Sequence, residues 1–172
     1  MKRRFAIKGG SPREQRGATL MVAMVFMGIL AVLGASAATN TGLQERMAGN
    51  SRNRDLAFQA AEAALQDAEN TLTAWRVSAF DGSAAGLTVY DATRANDAVY
   101  WGDMANWASY KTPAYNLNQV AEQPRYVVEK MPCVSNTEHY RVTARGVGGD
   151  SNAVVVLQAV YSYTPNPGPC LP

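Results

Sequence analysis

Residues 16–38 decide how this chain is built: Arg16-Gly17-Ala18-Thr19-Leu20-Met21-Val22-Ala23-Met24-Val25-Phe26-Met27-Gly28-Ile29-Leu30-Ala31-Val32-Leu33-Gly34-Ala35-Ser36-Ala37-Ala38. Only Thr19, Gly28, Gly34 and Ser36 in the run from Ala18 are not plainly apolar, and no charge occurs between Arg16 and Glu45. About 20 uncharged residues suffice to cross the roughly 30 Å hydrocarbon core as a helix. This part of the chain is therefore expected to address a membrane. Lys2, Arg3, Arg4, Lys8, Arg13 and Arg16 precede it against the single Glu14, so residues 1–17 carry about +5. A short basic flank of that kind stays on the cytoplasmic side, and the chain beyond the apolar run faces outward.

The helical pattern does not stop at Ala38. Phe58, Ala61, Leu65, Ala68, Leu72 and Trp75 recur at spacings of 3, 4, 3, 4 and 3, which places them on one helix face. Glu62, Gln66, Asp67, Glu69 and Asn70 lie off that stripe, so the stripe is expected to pack on a sheet while the rest meets solvent or neighbours. Ala57, Ala60, Ala63 and Ala64 form a small-residue surface that lets other helices come close. Gly28, Gly34, Gly42 and Gly49 are weak points, each costing a helix up to about 1 kcal/mol relative to alanine. A helix from Ala18 to Trp75 has about 58 residues and a length of roughly 87 Å. A domain of about 100 residues cannot bury that, so half is expected to project.

With 172 residues, 47% apolar and 17% charged, the remainder is ordinary globular material with room for one domain. The whole-chain charge of +2 conceals a remainder near −3 once residues 1–17 are set aside. Lysine is absent between Lys8 and Lys111, and no basic patch interleaved with aromatics lies beyond the leader, so nucleic acid is not an expected partner. Cys133 and Cys170 are the whole thiol inventory. In an exported domain an even count reads as one disulfide; the alternative is two unrelated buried thiols. Its loop of about 37 residues would stabilise by roughly 3–4 kcal/mol in the chain-entropy picture.

Residues 78–123 have no sustained period but hold Tyr90, Tyr100, Trp101, Trp107, Tyr110 and Tyr115, which indicates an ordered connection rather than a linker. The rings either complete a small core or form a face for a partner. Three strand signals come next, over residues 125–130, 139–147 and 153–163, with Gly148-Gly149-Asp150-Ser151 as a hairpin signal between the last two. The expected fold is α+β, a long N-terminal helix packed by its second half on a small antiparallel sheet. Pro165-Asn166-Pro167-Gly168-Pro169 cannot extend a strand.

Groups for catalysis are scarce. His139 is the single histidine, and no HExxH, GxSxG, GxxxxGK or CxxC occurs. Asp91, Asp97 and Asp103 fit no calcium loop. No enzyme activity, cofactor or metal is expected.

Three fates remain open for the apolar run on its own residues. Ala35-Ser36-Ala37 before Ala38 suits signal cleavage after Ala37, the run could stay as an uncut anchor, or cleavage could fall after Gly17 and leave the helix on the mature chain. The run exceeds a usual signal core of about 7–15 residues, which weighs against the first.

Arg16-Gly17 before the apolar helix, then Leu43-Gln44-Glu45-Arg46-Met47-Ala48-Gly49-Asn50, Arg52, Asp55 and Phe58-Gln59-Ala60-Ala61-Glu62-Ala63-Ala64-Leu65, closely resembles type IV minor pilins of the PilX family. The resemblance resumes at Tyr140-Arg141-Val142-Thr143-Ala144-Arg145-Gly146 and Val154-Val155-Val156-Leu157-Gln158, covering roughly 13–76 and 125–163 but not obviously the middle. It implies a prepilin leader over 1–17, cleavage between Gly17 and Ala18 by a prepilin peptidase and N-methylation of Ala18, leaving 155 of the 172 residues. Residues 18–38 become the membrane and filament-core helix, with Thr19, Leu20, Met21, Val22, Phe26, Gly28, Leu30 and Gly34 on it, and Gly28 and Gly34 as positions where it can melt on assembly. Residues 39–172 become a periplasmic head: helix to about 76, connection 77–124, sheet 125–163 and a disulfide-tied tail 164–172. Major pilins carry glutamate at the fifth mature position, where this chain has Val22, which points to use at a tip or in an initiating complex. Implied partners are other minor pilins, the major pilin, a tip adhesin, the inner-membrane assembly platform and lipid before assembly. Two competitors stand beside this reading: a minor pseudopilin of a type II secretion system, and a soluble exported binding protein or hydrolase released after Ala37.

Overall fold

The computed structural model describes residues 15–164 and 170, so residues 1–14 of the expected leader and most of the expected tail lie outside the described residues. Helix α1 spans Gln15–Asn70, and a further turn, α2, spans Leu72–Trp75. The break between them is at Thr71, whose hydroxyl donates to the Asp67 carbonyl at 2.7 Å, an alternative to continuing the helical ladder. Then come β1 (Leu87–Thr88), a 3₁₀ turn at Ala92–Arg94, α3 (Ala98–Gly102), another 3₁₀ turn at Met104–Trp107, and strands β2 (Arg125–Val134), β3 (Thr137–Val147) and β4 (Val154–Tyr163). The chain divides into two units, Met1–Ala48 and Gly49–Pro172.

The second unit is an α+β domain. Its sheet has the order β1-β2-β3-β4. The three expected strands pair antiparallel, and the two-residue β1 adds a parallel contact to β2 that has no periodic signal of its own. β4 succeeds β3 through the Gly148–Ser151 region, where the Gly148 amide donates to the Ala153 carbonyl at 2.8 Å. β2 runs to Val134, four residues beyond the expected end, and turns into β3 through Ser135 and Asn136. Both have positive φ, 50° and 61°, the mirror-image turn that matches strand twist.

One sheet face packs on α1 and α2: Ala64, Ala68, Leu72 and Trp75 meet Tyr126, Val128, Tyr140, Val142 and Ala144 in the main core. The helix contributes mostly alanines because the sheet comes unusually near. A Cβ on Gly146 would collide with the Ala57 carbonyl oxygen and the Ala61 nitrogen, and one on Gly148 with the Asn53 carbonyl oxygen. Ala57, Ala60, Ala61 and Ala64 are accordingly buried. The expected face is thereby rotated: Phe58 remains 43% exposed, because no ring fits where backbones touch, and Leu65 is half-buried. Ala57, Ala60 and Ala64 serve the chain's own sheet rather than approaching helices, and Ala63 is half-buried.

Candidate functional site

The surface most in need of a partner lies on the first half of α1. Leu20, Met21, Val22, Met24, Val25, Phe26, Met27, Ile29, Leu30, Val32 and Leu33 each expose between 51 and 74% of their area. An 18-residue window reaches a mean hydropathy of 2.4, and among the described residues this is one helix long and apolar enough to cross a membrane. Burying one such side chain is worth about 1.5–3 kcal/mol, so water is a poor environment for all of them together. Gly17 and Ala18 are both helical, and α1 runs unbroken through Gly28 and Gly34. A Cβ at either glycine would meet nothing within 4 Å, so neither is required for a contact inside the chain. Thr19 and Val22 lie on the exposed surface.

In the second unit, polar groups lock α1 to the sheet. Asp67, expected on the solvent side, is 8% exposed. Its carboxylate accepts from the Tyr126 hydroxyl at 2.9 Å and from the Ala114 amide at 3.3 Å. Burial, together with the Asp67 charge, pushes the Tyr126 hydroxyl up to about 12. Tyr161 and Tyr115 donate to the carbonyls of Leu65 and Ala63 at 3.2 Å each. Beyond α2, the fully buried Glu138 accepts from Arg76 Nε at 3.1 Å and from the Tyr140 hydroxyl at 2.8 Å. Desolvation and Glu138 raise the Tyr140 pKa as well. Cys133, next to the last residue of β2, is bonded to Cys170.

Two family models match: PilX N-terminal over residues 16–66, and type IV pilus assembly protein PilX C-term over residues 60–163. The chain belongs to the PilX family. It is a structural component of the type IV pilus, a minor pilin. No curated protein and no solved structure gives a match.

The C-terminal PilX model includes the middle region, where motif resemblance was not obvious. The fold explains what that region does. Trp101 and Trp107 pack with Val127 on the sheet face opposite α1, joined by Tyr100, Tyr110 and Val156, so two of the rings complete a second core. Their ring N–H groups donate to the carbonyls of Arg94 and Trp101 at 2.8 and 3.0 Å. Each of the three aspartates starts a short helical turn: Asp91 accepts from the Thr93 amide, Asp97 from those of Val99 and Tyr100, and Asp103 from that of Ala105. Hydrogen bonds from Thr93 lower the Asp91 pKa, with burial opposing them. The same face carries a buried pair: Arg141 Nε donates to Glu129 at 2.7 Å, and Arg141 Nη2 donates to the Asp91 carbonyl. His139 Nδ1 lies 2.8 Å from Ser162 Oγ at the surface. Among the described residues no three His, Cys, Asp or Glu side chains converge to hold a metal.

Sequence reasoning missed Asp67, Gly146 and the Glu129–Arg141 pair as positioning groups. A β3 arginine alternating into an otherwise buried strand was the signal available for the last.

Proposed function

We propose that this PilX chain is made as a prepilin with a leader over 1–17, inserts through Ala18 to about Ala38 with its head of residues 39–172 in the periplasm, and is cut between Gly17 and Ala18. Ala18 is then methylated. The subunit is incorporated at the start or tip of a type IV pilus. One observation carries this: a row of exposed apolar side chains between Leu20 and Leu33 that the chain's own fold leaves uncovered. Lipid covers them before assembly, and helices of other minor pilins and the major pilin cover them afterwards, with a tip adhesin, the assembly platform and the peptidase as further partners. Val22, apolar at the fifth mature position, gives no carboxylate to the amine of a neighbour and spares the cost of one in hydrocarbon. That favours a subunit used where the stack begins.

Mass spectrometry of the protein from its native membrane tests the processing, with methylated Ala18 expected as the first residue. A mature chain starting at Ala38 overturns it. Loss of surface pili with protein secretion intact is expected in a deletion strain; normal pili with lost secretion would move the chain to a secretion system.

A further inference from the structure

The two edges of the sheet are treated differently. On the outer side of β2, the Tyr126 amide donates to the Lys111 carbonyl at 2.9 Å, the Lys111 amide donates back at 2.8 Å, and the Val128 amide donates to Gly86 at 2.8 Å. Among the described residues β4 has no main-chain cover of that kind, and the Arg94–Asn96 turn bonds to it only through the Gln158 side chain. Its ladder with β3 is continuous over ten residues, and continuing the alternation from the Gly148–Ala153 bond turns Val155, Leu157, Ala159 and Tyr161 toward β3. The amides and carbonyls of Val156, Gln158, Val160 and Ser162 then point outward, and among the described residues β4 has no backbone hydrogen bond except to β3. Proteins protect such edges with charge, proline, bulges or brevity. Val154–Tyr163 is long and regular and contains neither charge nor proline. Cys170 is held at Cys133 on β2, on the other side of β3.

Beside this edge, α1 and Tyr161 of β4 border an open hollow of about 420 Å³, whose α1 lining includes Gln59, Glu62, Leu65, Gln66 and Glu69. It lies on the α1 side of the sheet, where Tyr161 reaches Leu65, and alternate side chains of any strand added next to β4 would enter it. Glu62 and Glu69 are seven residues apart on α1, roughly 10 Å, and neither is paired with a cation among the described residues. Burial, and after it the charge of Glu69, raises the Tyr161 pKa, consistent with a negative hollow.

We propose that the outer edge of β4 docks an extended segment of another protein, which joins the sheet as a fifth strand and sets Lys or Arg side chains against Glu62 and Glu69. Main-chain bonds supply the affinity and the acidic hollow supplies the selection. A second copy of β4 is a poor occupant, since its ten residues bring no cation to either glutamate. The proposal concerns the head alone and stands whether or not the processing and tip placement above hold.

The test uses the full chain in non-ionic detergent and three labelled ten-residue peptides of alternating threonine and valine. One carries two lysines on a single face, the second has glutamates there, and the third is the lysine peptide with alternate backbone nitrogens methylated. The lysine peptide is expected to bind, to slow amide exchange at Val156, Gln158, Val160 and Ser162, and to exceed the glutamate peptide by about tenfold or more. The methylated peptide should not bind. Val160→Pro removes an outward donor without touching the β3 ladder and should abolish binding. The exposed pair Glu62→Gln with Glu69→Gln should weaken it by about fivefold with unchanged melting. No binding at about 1 mM lysine peptide overturns the proposal. So does equal binding of the methylated peptide, or peptide-free protection of β4 that grows with protein concentration, which would make a second copy the occupant.

Discussion

At Gly146 the absence of one carbon sets the distance between helix and sheet. The Cβ of an alanine there would strike backbone atoms of Ala57 and Ala61, which cannot rotate away as a side chain can. Gly146→Ala is expected to destabilise the head by roughly 1–3 kcal/mol, read from urea unfolding. Asp67 and Tyr126 form the polar counterpart of that contact. Tyr126→Phe leaves a buried carboxylate short of a donor, and a loss of about 1–3 kcal/mol is expected at neutral pH. The pH dependence has a definite sign. The hydroxyl titrates near 12 in the fold against 10.0 ordinarily, so its contribution is intact below pH 10 and is lost as the pH rises toward 12. The stability gap between wild type and Tyr126→Phe should therefore narrow over that window, and a constant gap would refute the assignment. Neither residue could be singled out from sequence. Gly146 reads as one glycine in a strand, and Asp67 as one more acid on a polar helix face, because their partners lie 47 or more residues away.

At the level of elements, the 3.6-residue period and the alternation in β3 were readable, and they placed α1 against the sheet. What the period could not supply is the rotation of the face, since Phe58 outranks alanine in hydrophobicity and only the near approach of β3 reverses the order. The β2–β3 hairpin escaped notice because Ser135-Asn136 is a weak turn signal beside a glycine pair, and β1 because two residues have no period. The short turns over the second sheet face depend on their caps. Asp97 accepts from two amides of a five-residue helix, and Asp97→Ala is expected to cost about 1 kcal/mol and to loosen Trp101, visible as a red-shifted tryptophan emission. The Cys133–Cys170 bond closes a separation of 37 residues. Replacing both cysteines by serine should lower stability by about 3–4 kcal/mol in the chain-entropy picture, with the melting temperature falling accordingly. Unchanged melting would mean that the tail adds nothing to the head.

For the whole molecule, the division at Ala48 and Gly49 separates a helix that lacks an internal partner from a domain that holds both cores. A chain beginning at Gly49 is expected to be soluble without detergent and to melt cooperatively, whereas the full chain should require detergent or lipid. Aggregation of the shortened chain would show that the head depends on residues before Gly49. The sequence showed an uncharged, apolar first part, a one-dimensional signal, but its expected boundary at Ala38 lies ten residues before the division at Ala48, because the helical pattern runs on through both positions. The free edge of β4 was not legible, since strand order is a property of the folded sheet. The contact at Gly146 and Gly148 has a mechanical corollary. Side chains give under load, but main chain pressed on main chain does not, so tension applied along the head half of α1 passes directly into β3. Under pulling force the head should behave as one stiff block, yielding by rupture of that seam rather than by gradual slippage.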